Sequence, residues 1–220
     1  MTPAQVATKF RLYIDEPDQT FVSDDDVETF LDDGYREFRN IVCDVNPMIY
    51  NAIQDVTLSD VNVFDLVTGS PSFLGATPTA TAGRLVRING FNQVNSDGDV
   101  TTRFTGLTNP TSLGIVGSSY YLAGPRLMFS RRLTGTFQMN YVPEGNVTWT
   151  GTPSTYIDDL NTFHDLIALL AYKQYAIIDG AENQPLLRQA LARRTEFFEY
   201  LQARAHDGGD YVQHVPWLGR

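Results

Sequence analysis

His164 is the residue whose type best suits acid–base chemistry, and its neighbour Asp165 is a carboxylate. Adjacent residues on an α-helix point about 100° apart, so these two side chains cannot form a catalytic dyad with each other. To act as a general base, His164 would need a carboxylate from elsewhere in the chain. A lone histidine at the start of a helix is more often a structural residue with satisfied hydrogen bonds, and we favour that interpretation.

Asn95, Asp97 and Asp99 are spaced like the first ligands of a calcium loop. However, Gly98 is at the wrong position for such a loop, and the twelfth position is Gly106, where a bidentate glutamate is required. The segment is instead predicted to be a hairpin turn between two strands.

The remaining chemistry-bearing residues match no known motif. The glycine-rich run at 114–119 has no lysine and flanks a predicted strand, so a β turn is expected rather than a phosphate loop. The single cysteine, Cys43, lies on the apolar face of a predicted helix, which favours a buried thiol over a nucleophile. The sequence therefore predicts no enzyme, no metal site and no other cofactor.

The composition is acidic. The 220 residues carry a formal net charge of -10, which argues against a dedicated nucleic-acid binder because affinity for phosphates comes mainly from Lys and Arg. Arg126, Arg131 and Arg132 could form a local DNA-facing patch, but solvated arginines with a few salt bridges are favoured. No apolar run approaches the roughly 20 residues needed to span a bilayer, so no membrane association is expected.

Two helices near the C-terminus form the element around which the chain is predicted to pack. The first is expected to have Asp158 and Asp159 in its first turn and to end before Gly180. Residues 166–172 are apolar all round, which predicts a central, covered helix. The second is expected to be capped by Asn183 and to bury one stripe, formed by Leu187, Leu191, Phe198, Leu201 and Ala205.

Two further helices are predicted at the N-terminus. The first opens at Thr2 and Pro3 and runs to about Ile14, and the second is capped by Ser23. Gly34 lies on or near the buried face of the second helix. Glycine in a helix interior costs about 1 kcal/mol relative to alanine, so a close crossing with another helix is predicted there.

Between the helix pairs the apolar periodicity shortens to two, which predicts antiparallel strands. A small-residue segment, 69–83, is expected to be a long loop and is the part that the sequence determines least. The strands are predicted at 53–58, 61–67, 85–94, 100–104, 119–122, 126–129 and 136–142.

These elements predict an α+β fold: an antiparallel helical bundle from the N- and C-terminal helix pairs, with an inserted antiparallel β lobe and an extended C-terminal arm. The predicted boundaries are 1–47, 48–153, 154–206 and 207–220. A free arm this apolar would expose a surface that tends to aggregate. It is therefore expected to fold back or, as we favour, to dock onto a neighbouring subunit. The predicted partner-binding residues are Tyr211, Val212, His214, Val215, Trp217 and Leu218.

Three motifs occur in an order that resembles a known family. Residues 120–129 read Tyr-Tyr-Leu-Ala-Gly-Pro-Arg-Leu-Met-Phe, a later strand ends in Tyr-Val-Pro at 141–143, and Phe-His-Asp-Leu-Ile at 163–167 opens the C-terminal helices. This order resembles the head-to-tail adaptor (connector, or tail tubular protein A-like) proteins of tailed bacteriophages. The similarity covers most of the chain and is strongest over 119–205.

The resemblance implies a structural virion protein. Identical copies, typically twelve, would form a ring under the portal protein, line the DNA channel and provide the attachment platform for the tail nozzle or tube protein. The chain would assemble in the host cytoplasm, reside in the virion neck, and contact the portal through its C-terminal arm. DNA would pass through the acidic channel without specific binding, because few cations are present to replace its counterions.

Two other functions are weighed against this one. The β lobe could be a tail- or fibre-associated module that recognises carbohydrate or protein, with Tyr120, Tyr121, Tyr141 and Trp149 as stacking surfaces, although core positions are favoured for these aromatics. An enzyme using His164 and a carboxylate is the least favoured.

Overall fold

The computed structural model describes residues 1–16, 21–115, 117–180 and 183–207. Within these residues, four α-helices and one five-stranded sheet make a mixed α+β protein. The chain forms two compact units: a helical unit, made of residues 1–46 and the chain from Gly145 onward, and a sheet unit, residues 47–144. Residues 145–153, predicted to belong to the β lobe, lie instead in the helical unit, where Trp149 packs against Tyr35.

The first two helices begin where the sequence predicts. Helix α1 is Pro3–Tyr13 and helix α2 is Asp24–Val45, and both start with a capping box. In the second box, Ser23 Oγ accepts the N–H of Asp26, and the Asp26 carboxylate accepts the N–H of Ser23. These bonds satisfy amide groups that have no partner within the helix.

Helix α3, His164–Asp179, begins later than predicted. The prediction that Asp158 and Asp159 lie in its first turn is wrong, because a 3-10 turn, Asn161–Phe163, separates them from the helix. The Asp158 carboxylate accepts the backbone N–H of Leu160, a local bond that competes with helix formation.

The rest of α3 follows the sequence pattern. Every residue from Leu166 to Tyr172 is buried, which confirms that this helix is covered on several sides. Gly180 ends the helix with a φ of 71°, and its N–H donates to the carbonyl oxygen of Ala176. This left-handed conformation is accessible to glycine at little cost.

Gly34 is the point of closest approach between α2 and α3. A Cβ atom at this position would lie 2.7 Å from the carbonyl oxygen of Ile167 and 2.8 Å from the backbone nitrogen of Ala171. Both distances are shorter than non-bonded contacts allow, so only glycine fits there. The close crossing predicted from Gly34 is confirmed.

Helix α4, Gln184–Asp207, buries a different face from the predicted one. Of the predicted stripe only Leu201 is buried, whereas Leu191 is 65 % exposed and Phe198 is 42 % exposed. The reason is that Phe197, rather than Phe198, stacks on Phe38, with ring centroids 4.5 Å apart. The side chains that α4 buries are Ala190, Phe197 and Leu201.

The sheet unit contains five strands: β1 (Ala52–Asp65), β2 (Leu85–Val94), β3 (Val100–Leu107), β4 (Ser119–Ala123) and β5 (Arg126–Pro143). Strand β5 pairs with β1, β2 and β4, and the order is β1-β5-β2-β3-β4. The predicted all-antiparallel sheet is wrong, because β3 and β4 run parallel.

Two pairs of predicted strands are in fact single long strands. The segments 53–58 and 61–67 merge into β1, with an irregularity at Asp60, whose φ is 53°. The segments 126–129 and 136–142 merge into β5. Because β5 continues through both segments, it can pair with β4 near its start and with β2 near its end.

The loop at 69–83 is part of the core of the sheet unit. Phe73 is fully buried, and its ring packs edge-on against Tyr141, with centroids 5.2 Å apart. Its N–H donates to the carbonyl oxygen of Leu66, and its own carbonyl accepts the N–H of Leu85. A segment rich in small polar residues therefore contributes one of the largest buried side chains.

The substitution Gly34→Ala is expected to lower the free energy of unfolding by about 1–3 kcal/mol, because the new methyl group meets the backbone of α3. Denaturant unfolding followed by circular dichroism measures this change. Gly114→Ala is the matched control, because a Cβ there meets nothing within 4 Å; it should change stability by less than about 0.5 kcal/mol. A stabilisation by Gly34→Ala of about 1 kcal/mol, which helix propensity alone predicts, would contradict the close crossing.

Candidate functional site

His164 is the residue most suited to catalysis, and it is fully buried at the start of α3. Its Nε2 lies 2.7 Å from Oδ1 of Asp158, and its Nδ1 lies 3.0 Å from the carbonyl oxygen of Met1. The carbonyl oxygen can only accept, so Nδ1 must donate, and Nε2 then shares a proton with the carboxyl of Asp158. Both ring nitrogens are thus occupied, and neither is open to a substrate.

Asp165 points away from His164, as the helical spacing predicts. Its carboxylate accepts from Nε of Arg193 at 3.2 Å and lies 3.9 Å from the ammonium of Lys9. The guanidinium of Arg193 also donates to the carbonyl of Thr162 and lies 4.5 Å from the ring centroid of Phe163. This cluster fastens α4 to the start of α3, so its charges are structural.

Two carboxylates on α2 hold the segment that follows the sheet unit in the chain. Glu28 accepts the backbone N–H groups of Trp149 and Thr150, each at 2.8 Å. Asp32 accepts from the indole nitrogen of Trp149 at 2.9 Å, and burial raises the pKa of this carboxyl above its usual value. Sequence reasoning missed this anchor; the available signal was the four-residue spacing of Glu28 and Asp32, which puts both carboxylates on one side of α2.

The calcium-like segment is a turn, as predicted. The side-chain oxygen of Asn95 accepts the backbone N–H groups of Asp97 at 3.0 Å and Asp99 at 2.8 Å, and it closes the hairpin between β2 and β3. Within the described ranges, no group of three or more His, Cys, Asp or Glu side chains could hold a metal ion.

The aromatic side chains proposed as stacking surfaces are mostly core residues. Tyr141 and Trp149 are fully buried, and Tyr120 is 8 % exposed. Burial raises the pKa of the Tyr120 hydroxyl to about 12. A ligand could therefore not stack on these three rings without unfolding their surroundings.

Tyr121 differs from the other three because it is only half-buried. It pairs across the strands with Met128, which in turn pairs with Val63. Met128 and Val63 are 36 % and 37 % exposed. These three side chains form a small apolar row on the outer face of the sheet.

The arginines near β5 are largely neutralised. Arg126 lies 3.5 Å from the Asp65 carboxylate and Arg132 lies 2.8 Å from that of Asp60. Because these pairs are well exposed, each contributes little to stability. The favoured interpretation, solvated arginines with salt bridges, is confirmed for Arg126 and Arg132.

The acidic charge of the chain is unevenly distributed. The sheet unit, residues 47–144, contains six arginines and six acidic residues, so its formal charge is zero. The whole formal net charge of -10 therefore falls on the helical unit. Any electrostatic interaction with DNA or with a charged partner will depend mainly on that unit.

A shallow cleft lies in the helical unit between α1 and the segment at 149–153. Its volume is about 270 Å³, below the range typical of small-molecule sites. Its two charged residues, Arg11 and Asp24, pair with each other at 2.7 Å. The cleft therefore offers neither the size nor the free polar groups of a ligand site.

Several exposed apolar side chains of the helical unit lie on its C-terminal helix pair. Leu191 and Phe198 are on α4, and Ile177 and Ile178, which are 68 % and 76 % exposed, are at the end of α3. We call Leu187, Leu191 and Phe198 the α4 stripe. Exposed apolar side chains grouped in this way are typical of protein contact surfaces.

The predicted docking arm cannot be compared with the structure. Its residues Tyr211, Val212, His214, Val215, Trp217 and Leu218 lie outside the described residues, so their role stays a prediction. Among the described helices, none is long and apolar enough to cross a membrane.

Comparison with known proteins does not assign the chain to a family. No family model matches the sequence, and no curated protein matches it at a significant level. The resemblance to phage adaptors therefore rests on the sequence motifs alone.

The substitution His164→Ala should lower the free energy of unfolding by about 3–5 kcal/mol, because it removes the imidazole that bonds to the buried Asp158 carboxylate. Urea unfolding gives the value. The double variant His164→Ala/Asp158→Ala is the control, since it removes both members of the pair and should recover part of the loss. If His164→Ala left the stability unchanged, the structural role of His164 would be contradicted, and a catalytic role would have to be considered again.

Tyr120→Phe should remove an ionisation near pH 12 from the tyrosinate absorbance titration and leave the signal near pH 10 intact. The folded-state pKa lies above the unfolded value of 10.0, so the buried neutral phenol contributes stability below about pH 10 that is lost as the pH rises through about 12. Loss of an ionisation near pH 10 would instead identify Tyr120 as an exposed ring, as the carbohydrate-binding alternative requires.

Proposed function

We propose that this chain is a structural virion protein, the head-to-tail adaptor that forms a ring under the portal of a tailed bacteriophage. The observation that carries the proposal is the order of the three motifs together with their structural places. The motif at 120–129 forms the β4–β5 hairpin, the motif at 141–143 ends β5, and the motif at 163–167 leads into α3. Each motif therefore marks a boundary between elements or a core position.

We further propose that the helices from both ends of the chain form one antiparallel bundle, with the sheet unit as an insertion in the sequence. Two observations support this arrangement. Helix α2 crosses α3 closely at Gly34, and α4 packs on both through Phe197. The helical unit thus uses residues from both sides of the sheet unit in the sequence.

The proposed partners are the portal protein, the tail nozzle or tube protein, and further copies of the same chain. A monomer that leaves the α4 stripe in water gains free energy by covering it. The arm residues Tyr211 to Leu218 supply a second set of apolar and aromatic side chains that suits docking onto the portal. These contacts would place the protein in the virion neck after assembly in the host cytoplasm.

The charge distribution supports a passive role toward DNA. The helical unit carries the whole formal net charge of -10, and the sheet unit is neutral. Neither unit presents the excess of Lys and Arg that binds phosphates by releasing counterions. DNA could therefore move along such a ring during packaging and ejection without adhering to it.

The alternative, a tail- or fibre-associated binding module, retains one supporting observation. The apolar row of Val63, Met128 and Tyr121 on the sheet is partly exposed and could contact a protein ligand. The buried positions of Tyr120 and Tyr141 remove the main support for carbohydrate stacking.

Mixing the purified chain with the portal protein of the phage that encodes it tests the proposal. Electron microscopy of negatively stained particles should show rings attached to the portal. Deletion of residues 208–220 should abolish attachment, because it removes the predicted docking residues, and circular dichroism should show that the helices are retained. A full-length chain that stays monomeric beside the portal would overturn the proposal.

A further inference from the structure

Helix α4 is attached to the rest of the helical unit by a narrow face. It has 24 residues, and the side chains that it buries among the described residues are Ala190, Phe197 and Leu201. Arg193, on the same face, bonds to Asp165. Most of the other described side chains of this long helix are exposed, so they are available to another molecule.

The α4 stripe flanks this buried face, and the guanidinium of Arg194 lies in line with it. Leu187, Leu191, Arg194 and Phe198 follow at spacings of four, three and four residues, so they lie in one line along the helix. Arg194 is exposed and forms no ion pair within the part of the chain that the structure describes. Leucine, phenylalanine and arginine in such a line match the composition of protein interface centres.

The outer face of α2 has the complementary character. Over its 22 residues α2 contains eight acidic side chains and two arginines. Asp25 and Thr29 follow at a spacing of four on the side of α2 opposite Gly34, and one turn further along Asp33 bonds to Arg36 at 2.7 Å. Asp25 and Thr29 are exposed, and the Asp25 carboxylate has no bonding partner in the described residues.

We propose that the α4 stripe of one copy packs against the acidic outer face of α2 in the next copy, with Arg194 facing Asp25. The proposal rests on the adaptor function and names the surfaces through which the ring closes. The two surfaces are different, so the contact is head-to-tail, and contacts of this kind generate rings when the rotation closes.

The charges favour this contact over the other way in which two copies could cover the stripe. A parallel pairing of two α4 stripes would place Arg194 of one copy against Arg194 of the second, and like charges across an interface are strongly unfavourable. An antiparallel pairing would place each Arg194 against the leucines of the other stripe, without a carboxylate to bind. Packing on α2 instead gives each Arg194 a carboxylate. The occupant is therefore the α2 face of a second copy rather than a second α4.

Cross-linking between two variants that each gain one cysteine tests the contact. Leu191→Cys is placed on the α4 stripe and Thr29→Cys on α2, and the wild-type chain, whose Cys43 is buried, is the background control. With a short bis-maleimide reagent at high protein concentration, a mixture of the two variants should give mixed dimers. The doubly substituted chain should give a ladder of higher oligomers.

Charge exchange supplies the second measurement. Arg194→Glu should reduce the cross-link yield by at least about tenfold, because it opposes the acidic face of α2. Adding Asp25→Arg to the same chain should restore the yield. Arg204→Glu is the matched control, since it makes the same charge change on an exposed part of α4 outside the stripe and should leave the yield unchanged.

The outcomes separate this contact from the adaptor function itself. Dimers formed by Leu191→Cys alone would show an α4–α4 contact and overturn the proposal. Rings on the portal without mixed cross-links would overturn the proposed contact and leave the adaptor function standing. Absence of both rings and cross-links, with the helical circular dichroism intact, would overturn both.

Discussion

An α-helix with no polar side cannot be stable at a protein surface, and α3 is such a helix between Leu166 and Tyr172. The stability of the helical unit depends on covering this stretch of α3 on every side. Helices α1, α2 and α4 all contact α3, and α2 comes closest because Gly34 lets its backbone touch that of Ile167 and Ala171. A side chain at position 34 would push α2 away and open the most apolar part of the core to water.

The polar residues around α3 help to hold the elements that cover it. His164 joins Asp158 to the carbonyl of Met1, and Arg193 joins α4 to Asp165. Residues that resemble acid–base machinery in the sequence are thus fully used in positioning elements. A catalytic group must keep at least one atom open to substrate, and both ring nitrogens of His164 are occupied.

Covering α3 does not require all of α4. Ala190, Phe197 and Leu201 are buried and hold α4 in place together with Arg193, whereas Leu191 and Phe198 beside them are exposed. The same helix therefore completes the core of one chain and leaves an apolar stripe exposed. This division explains how one sequence could encode both a stable monomer and an assembling subunit, which is the property that the adaptor proposal needs.

The sequence alone determined the features that depend on local chemistry. The capping boxes, the stop at Gly180, the covered helix at 166–172, the Asn95 turn and the close approach at Gly34 follow from hydrogen-bonding groups, glycine geometry or uniform hydrophobicity, which neighbouring residues largely fix. The start of α3, the parallel pairing of β3 with β4, the burial of Phe73 and the choice of Phe197 over Phe198 were decided by tertiary structure. In each of these cases two local arrangements are nearly equal in free energy, and a distant partner such as His164, Tyr141 or Phe38 selects one of them.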